Sequence, residues 1–207
     1  GTGELCVHLA RQGASVVGFD VRHDALRRAR AAAAEGGVSD RCTFLRARGE
    51  EMPVASAAAD VVVSRSTLQY MDIERAVDEA LRVLRPRGRL VLLENLPSHP
   101  VIAIVRWRRA HLPRTPKEIA YVGTLRRHFA LEDVDRLGDR LEGVEHREDR
   151  LLGAVTANLV ARAAPRRARW LRAIDAVCAR ADRWLLDRVP PLRRYAWLTL
   201  VLARKPV

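Results

Sequence analysis

Lysine, cysteine, aromatic residues and long apolar runs are all scarce in this sequence. Only Lys117 and Lys205 are lysines, so arginine supplies nearly all of the positive charge. Apolar runs stay well below the roughly 18 residues that a transmembrane helix needs, which argues against an integral membrane protein. The first residues show no basic region followed by an apolar stretch, so they are not typical of a signal peptide. Because Gly1 is not a methionine, we expect the chain to be a fragment.

The three cysteines, Cys6, Cys42 and Cys178, lie far apart in the sequence. They form neither a CxxC metal-binding pattern nor a disulfide framework. We therefore expect small core side chains in a reducing, cytoplasmic compartment, and no metal site.

The net charge of +12 would suit a nucleic acid or an anionic membrane as partner. The arginines are spread along the chain, however, and abundant Arg and Ala with scarce Lys is typical of a GC-rich genome. Composition is therefore the preferred explanation of the charge, and a dedicated site for a polyanion is the alternative.

Short β-branched apolar runs alternate with helical patterns, which predicts an α/β fold with a mainly parallel sheet. Within the third of these runs, three consecutive valines in 60–64 indicate a strand buried on both faces. We expect a turn at 86–88 and irregular chain over 95–130. The predicted strands are 15–20, 41–46, 60–64, 90–93, 144–152 and 197–203, and the predicted helices include 25–34, 73–84 and 131–141.

Gly1-Thr2-Gly3 opens a helix and is followed by a strand that ends in Asp20, an order typical of nucleotide-binding loops. Glycines let the backbone approach a ligand, and a helix N-terminus supplies free N–H groups. Asp20 follows Gly3 by 17 residues, near the spacing at which a carboxylate accepts both ribose hydroxyls. Taken alone, the pattern does not separate a nicotinamide dinucleotide from S-adenosylmethionine (SAM).

Five segments then follow in a fixed order: GTGELCVHLA, VVGFDVRHDALRRARA, RGEEMPVASAAADVVVSRSTLQYM, DEALRVLRPRGRLVLLEN and YAWLTLVLARKP. Together they resemble the class I SAM-dependent methyltransferases, specifically the small-molecule group called type 11. The resemblance covers residues 1–95 well and 195–205 loosely. It implies a Rossmann-like sheet with helices on both faces and SAM as cofactor. It also implies one domain over 1–207, with its core in 1–95 and 144–205 and a substrate-facing region in 95–143.

The resemblance also implies a cofactor site, residue by residue. Two loop glycines face the methionine part of SAM, a strand-end acid binds the ribose, and its neighbour lies beside the adenine. A second loop closes over the adenine edge, and a residue at the end of the fourth strand lies beside the sulfonium. In that order the residues are Gly1 and Gly3, Asp20, Val21, Gly49 and Glu50, and Ser64. For Asp20, Gly49 and Ser64 a purely structural role is the alternative.

Two departures from the family pattern matter. Arg48 stands where the family usually has an acid that accepts from the adenine amine, and a guanidinium cannot accept a hydrogen bond. Adenine recognition would then fall on backbone groups or on Glu50. In addition, the chain begins within the glycine loop, so the family's first strand is missing. That strand is central in the family, and its loss should expose two strand edges.

Methyl transfer from a sulfonium is an in-line displacement that depends mainly on positioning, and a base is needed only for a protonated nucleophile. Glu94 is the best-placed candidate, because it ends a strand beside the expected cofactor crevice. The other candidates lie in the substrate-facing region, where a surface or packing role is the alternative for each. They are His99, His111, Tyr121 and His128.

Segment 162–194 is the part of the chain that is least typical of the family. Its apolar residues recur at four, three, four and three positions, which predicts a helix from about Pro165 to Val189 inserted before the last strand. The apolar stripe, which we expect to pack against the protein, consists of Trp170, Ile174, Val177, Ala181 and Trp184. A lid, a dimer contact and a basic amphipathic helix on an anionic membrane are the alternatives.

The sequence therefore predicts a cytoplasmic SAM-dependent methyltransferase that acts on a biosynthetic or lipid-like small molecule. Peripheral contact with a membrane and the oligomeric state stay open. An RNA methyltransferase is less favoured, because Ser64-Arg65-Ser66-Thr67 is not an NPPY-like tetrapeptide and no basic face is studded with aromatics. A protein that keeps the fold without activity is the third hypothesis.

Overall fold

The computed structural model describes residues 1–112, 115, 124–162 and 165–207, and Tyr121 lies outside these ranges. The chain forms two compact units. The first unit comprises Gly1–Ser56 and Arg75–Val83, and the second comprises Ala57–Glu74 and Leu84–Val207. The organisation of 1–207 as one methyltransferase domain stays a prediction.

The first unit begins with α1 (Glu4–Arg11), β1 (Val16–Asp20), α2 (His23–Glu35) and β2 (Cys42–Arg46). The two strands pair in parallel, from Val16 opposite Cys42 to Asp20 opposite Arg46. Small alanines on the buried side of α2 let it pack closely on α1 and the strands. Cys6 and Cys42 pack against this core, in line with the role expected for them. The buried core consists of Val7, Ala10, Leu26, Ala29, Ala33, Val38 and Phe44.

Helix α3 (Ile73–Val83) holds the segment that follows the predicted adenine loop. Its Glu79 carboxylate accepts the backbone N–H of Met52 at 2.7 Å. The Arg82 guanidinium donates to the carbonyl groups of Met52 and Val54 at 3.1 and 2.8 Å. Arg82 also pairs with Glu79 itself at 2.8 Å. These bonds fix residues 52–54 although they form neither helix nor strand.

The second unit contains a four-stranded sheet in the order β3-β4-β6-β5. Its strands are β3 (Ala59–Arg65), β4 (Leu84–Asn95), β5 (Glu142–Asp149) and β6 (Leu198–Arg204). The β3–β4 pair is parallel, whereas β6 runs antiparallel to both β4 and β5. The expected α/β class is confirmed, but half of the described strand pairs are antiparallel, so the sheet is not mainly parallel.

Strand β4 begins earlier than the sequence predicts. The segment Pro86-Arg87-Gly88, expected to form a turn, lies within it. Ala59 pairs with Leu84 and Val61 pairs with Arg89, so residues 85–88 bulge out of register. Arg87 adopts a φ of 62°, and the backbone of Lys205 bonds to both Arg87 and Gly88. Pairing with the end of the distant strand β6 therefore keeps this turn-like sequence in the sheet.

In the described part of the second unit, four α-helices accompany the sheet: α4 (Pro100–His111), α5 (Leu131–Gly138), α6 (Gly153–Arg162) and α7 (Pro165–Arg188). Helix α4 lies in the region expected to be irregular. Helix α7 confirms the inserted helix, and it ends one residue before the predicted boundary. None of the helices in the described part of the chain is long and apolar enough to cross a membrane.

The expected packing of the α7 stripe is wrong. Trp170 is 64% exposed, Val177 63% and Trp184 56%, and Ile174 is exposed as well. The buried side of α7 lies one position further along the helix and contains Asp182 and Leu186.

Two aspartates explain why α7 packs against the protein with this side and not with the predicted apolar stripe. Both Asp182 oxygens accept backbone N–H groups at the start of α6, from Leu152 at 2.6 Å and Gly153 at 2.9 Å. Asp175 accepts from Thr156 at 2.6 Å and from Arg150 at 2.7 Å. These carboxylates satisfy groups at a helix N-terminus that would otherwise lack partners, so the polar face docks and the apolar stripe faces outward.

Candidate functional site

Asp20 lies at the carboxyl end of β1, where the loop glycines approach it. Its carboxylate accepts the backbone N–H of Arg22 at 2.8 Å. Burial raises the pKa of Asp20, whereas the hydrogen bond and the positive charge of Arg22 lower it. Asp20 is thus an acceptor next to the glycine loop.

Gly3 lies immediately before α1 and requires the absence of a side chain. Its φ is 81°, in the left-handed region that L-residues rarely adopt. A Cβ atom there would lie 2.8 Å from both Cα and Cβ of Ala29. Gly3 therefore lets the loop cross α2 closely and turn into α1, whose first N–H groups lack helical partners.

The predicted adenine loop is a tight turn over Gly49 and Glu50, closed by a bridge between Arg48 and Glu51. The Arg48 guanidinium donates to the Glu50 carboxylate at 3.3 Å. The positive charge of Arg48, which stands where the family usually has an acid, is thus paired with Glu50 within the loop. The Glu50 side chain is largely buried. Val21, expected beside the adenine, is exposed.

In the second unit, Glu94 and Ser64 lie together at the carboxyl ends of β4 and β3. Glu94 is 1% exposed, and its Oε1 accepts from Ser64 Oγ at 2.6 Å. The same oxygen accepts the backbone N–H of Thr67 at 3.3 Å, and the Ser64 and Thr67 hydroxyls lie 2.7 Å apart. Burial raises the pKa of Glu94, and the hydrogen bonds from Ser64 and the following backbone oppose this only in part.

A second buried carboxylate lies across the sheet, which the sequence did not indicate. Glu94 and Glu148 are both paired in register with Thr199 on β6, so the three side chains share one face. Glu148 Oε1 lies 3.1 Å from the Thr199 hydroxyl, which donates to it, and 2.7 Å from His146 Nδ1. Antiparallel pairing of distant segments creates this group, so no local motif marks it. The Thr67 hydroxyl was also missed, although it lies three residues after Ser64.

The other candidate catalytic residues that the structure describes do not lie with Glu94 in one cluster. His99 is buried and caps α4: its Nδ1 accepts from Ile102, and its Nε2 donates to the Leu151 carbonyl at 2.7 Å. His111 stacks on Trp107 with a centroid distance of 5.0 Å. Both contacts are those of structural residues.

His128 is the exception among these histidines. Burial, together with the charge of Arg106, lowers its pKa to about 4, so the ring is neutral at pH 7. Its buried Nδ1 has no hydrogen-bond partner in the part of the chain that the structure describes. This Nδ1 is therefore a buried polar atom that no described residue satisfies.

Comparison with known proteins finds similarity to methyltransferases in the first part of the chain. Residues 1–92 match the family described as Methyltransferase domain. The demethylmenaquinone methyltransferase of Thermus thermophilus is 39% identical over 100 residues, which cover 47% of this chain and 44% of that protein. The chain thus spans about half the length of the curated relatives it matches.

Solved structures share the fold. A geranyl diphosphate methyltransferase in complex with SAM has a TM-score of 0.59 and 18% identity, covering 100% of this chain and 75% of that one. The [4+2]-cyclase SpnF has a TM-score of 0.61 and 22% identity, covering 100% and 72%. The fold is that of the Rossmann-like SAM-dependent methyltransferases.

Proposed function

We propose that the protein transfers a methyl group from SAM to a small-molecule acceptor of biosynthetic or lipid-like type. The observation that carries the chemistry is the buried Glu94 carboxylate, which Ser64 Oγ approaches to 2.6 Å where β3 and β4 end. In α/β sheets, ligands bind at the carboxyl ends of the strands. A carboxylate with a raised pKa at that place is suited to accept a proton.

The residues of the first unit fit SAM. Gly3 leaves no side chain between the loop and α2, and α1 offers unpaired N–H groups to the cofactor's carboxylate. Asp20, whose carboxylate already accepts the backbone N–H of Arg22, is an acceptor for two ribose hydroxyls. We assign the adenine to the Gly49-Glu50 turn and to Val21.

When bound, SAM supplies a methyl group already activated on a sulfonium. The remaining task of the protein is to orient the acceptor and to remove a proton where the nucleophile carries one. We assign that proton to the Glu94 carboxylate. The new bond to the methyl carbon then forms as the carbon–sulfur bond breaks, and its electrons stay on the sulfur. Ser64 holds the carboxylate in place, and the Thr67 hydroxyl in turn contacts Ser64.

Two observations support the proposed acceptor class. The relative from Thermus thermophilus is named for demethylmenaquinone, a lipophilic quinone. In the reduced quinol form of such a head group, loss of a hydroxyl proton makes the oxygen, or the ring carbon beside it, nucleophilic, and Glu94 would take up that proton. We therefore favour a lipophilic ring compound over a nucleic acid, and a fold without activity remains the competing account.

Two measurements separate these accounts. SAM is first titrated into the protein by calorimetry, and tritiated SAM is then incubated with the protein and either a lipid extract or total RNA. Label in the lipid fraction supports the proposal, whereas label in the RNA fraction replaces it. Absence of SAM binding leaves the inactive fold.

A further inference from the structure

Helix α7 presents a stripe of apolar side chains to solvent. Its stripe of Trp170, Ile174, Val177 and Trp184 is exposed, because Asp175 and Asp182 anchor the opposite side. A contiguous apolar patch with two tryptophans is unusual on a soluble monomer and indicates a binding surface. Since the anchoring carboxylates are bonded to other parts of the same unit, the stripe is held outward by the fold.

Two other helices of the same unit, α4 and α6, also expose apolar side chains. On α4, Ile104 is 67% and Trp107 58% exposed. On α6, Val155 and Leu159 are exposed. Three of the chain's four tryptophans thus lie exposed on α4 and α7.

The three helices are fastened at one place. His99, which caps α4, bonds to the carbonyl of Leu151 at 2.7 Å. The next residues, Leu152 and Gly153, start α6 and bond to Asp182 of α7. Because α4, α6 and α7 are held at residues 151–153, their exposed apolar residues belong to one unit of structure.

The charge beside these residues is predominantly positive. Residues 97–112, which contain α4, hold three arginines and no acid. Residues 165–195, which contain α7, hold nine arginines against three aspartates, of which Asp175 and Asp182 are bonded within the protein. At the end of α7, the Arg188 guanidinium lies 5.3 Å from the centre of the Trp184 ring. Helices that lie in the surface of an anionic membrane typically combine an apolar face that contains tryptophan with flanking arginines.

We propose that the exposed apolar residues of α4, α6 and α7 form a docking surface for a bilayer that contains anionic lipids. The tryptophans and aliphatic residues enter the head-group region, and the surrounding arginines contact the phosphates. A second copy of this chain is disfavoured as the occupant, because it would bring two arginine-rich surfaces together. Docking of this kind needs no cofactor, so it is independent of the proposed methyl transfer.

Co-sedimentation with vesicles tests the proposal on the full chain without SAM. Vesicles of phosphatidylcholine and phosphatidylglycerol are compared with vesicles of phosphatidylcholine alone, at low and high salt. We expect binding to the anionic vesicles that salt weakens, with a blue shift of tryptophan fluorescence. Lack of binding to the anionic vesicles overturns the proposal, as does a dimer in solution whose tryptophans are shielded from an aqueous quencher.

Paired variants locate the surface. Arg172, Arg180 and Arg183 are exposed on α7, and their replacement by Gln should lower vesicle affinity by roughly ten-fold or more. Replacement of Arg87, Arg89 and Arg204 by Gln removes the same charge at the other end of the sheet and should change little.

A second pair separates apolar insertion from charge. Trp170→Ser with Trp184→Ser should weaken binding and abolish most of the blue shift, whereas Val61→Ser with Leu202→Ser, also exposed, should not. Equal losses in both members of either pair contradict a surface on these helices. Melting temperatures identify any variant that fails to fold.

Discussion

Ser64 Oγ and Glu94 Oε1 lie 2.6 Å apart at the carboxyl ends of two parallel strands, and the glutamate is almost fully buried. A buried carboxyl group next to one hydroxyl and one backbone N–H is costly to ionise, which is why its pKa is raised. The same property makes it a stronger base once ionised. Replacement of Glu94 by a residue that cannot ionise should therefore lower activity but not the stability of the fold.

Glu94→Gln tests this opposition. Gln keeps an oxygen that can accept from Ser64 but cannot take up a proton, so turnover should fall by about 100-fold or more. In the wild type, turnover should rise with pH as Glu94 ionises. Its contribution to stability is fully present below the ordinary pKa of 4.5 and is lost as the pH rises through the raised pKa. The variant should therefore be at least as stable as the wild type at pH 8.

Turnover against pH and thermal melts at several pH values provide the readout. Glu145→Gln, at an exposed position on β5, is the matched control and should change neither. Unchanged turnover in Glu94→Gln would remove Glu94 from the chemistry.

Gly3→Ala should be harmful for two separable reasons. The φ of 81° strains any L-residue, and the new methyl group would collide with Ala29. Gly37→Ala is the control, because Gly37 has a φ of 66° with open space around its Cβ position. We expect a loss of about 1 kcal/mol for Gly37→Ala and clearly more for Gly3→Ala, measured by denaturant unfolding. Equal losses would mean that the loop does not need the close approach to α2.

Asp182→Ala should destabilise the second unit strongly. It removes a carboxylate that accepts two backbone N–H groups at the start of α6 and leaves both unpaired, that of Gly153 in a buried place. A cost of about 2–4 kcal/mol in unfolding free energy is expected. Asp187→Ala, exposed on the same helix, should cost little. If both variants unfold alike, Asp182 does not set the orientation of α7.

The aspartates of α7 also show where sequence reasoning ends. The periodicity of apolar residues placed the helix correctly between β5 and β6, but it assigned the wrong side to the protein. Apolar spacing cannot predict that the Asp182 carboxylate finds backbone N–H partners about thirty residues away, or that Asp175 bonds to Thr156 and Arg150. Glu94 could be located in advance, because a strand end and the rules of α/β sheets suffice. Glu148 and Thr199 could not, since their alignment depends on antiparallel pairing between distant segments.

The remaining cofactor assignments, including Gly49, Glu50 and Val21, depend on Asp20 binding the ribose of SAM. Loss of a carboxylate that accepts two hydroxyls should cost about 2–3 kcal/mol, because hydrogen bonds to charged groups contribute roughly 1.5–3 kcal/mol each and are not fully additive. Asp24→Ala is the matched control, because Asp24 is an exposed acid four residues further on that pairs with Arg28.

Calorimetric titration of SAM into the wild type, Asp20→Ala and Asp24→Ala tests the central claim most directly. The account predicts saturable binding to the wild type, affinity lower by ten-fold or more in Asp20→Ala, and unchanged affinity in Asp24→Ala. Binding that is equally strong in all three proteins would contradict the cofactor site, and absence of binding to the wild type would contradict methyl transfer from SAM by this chain.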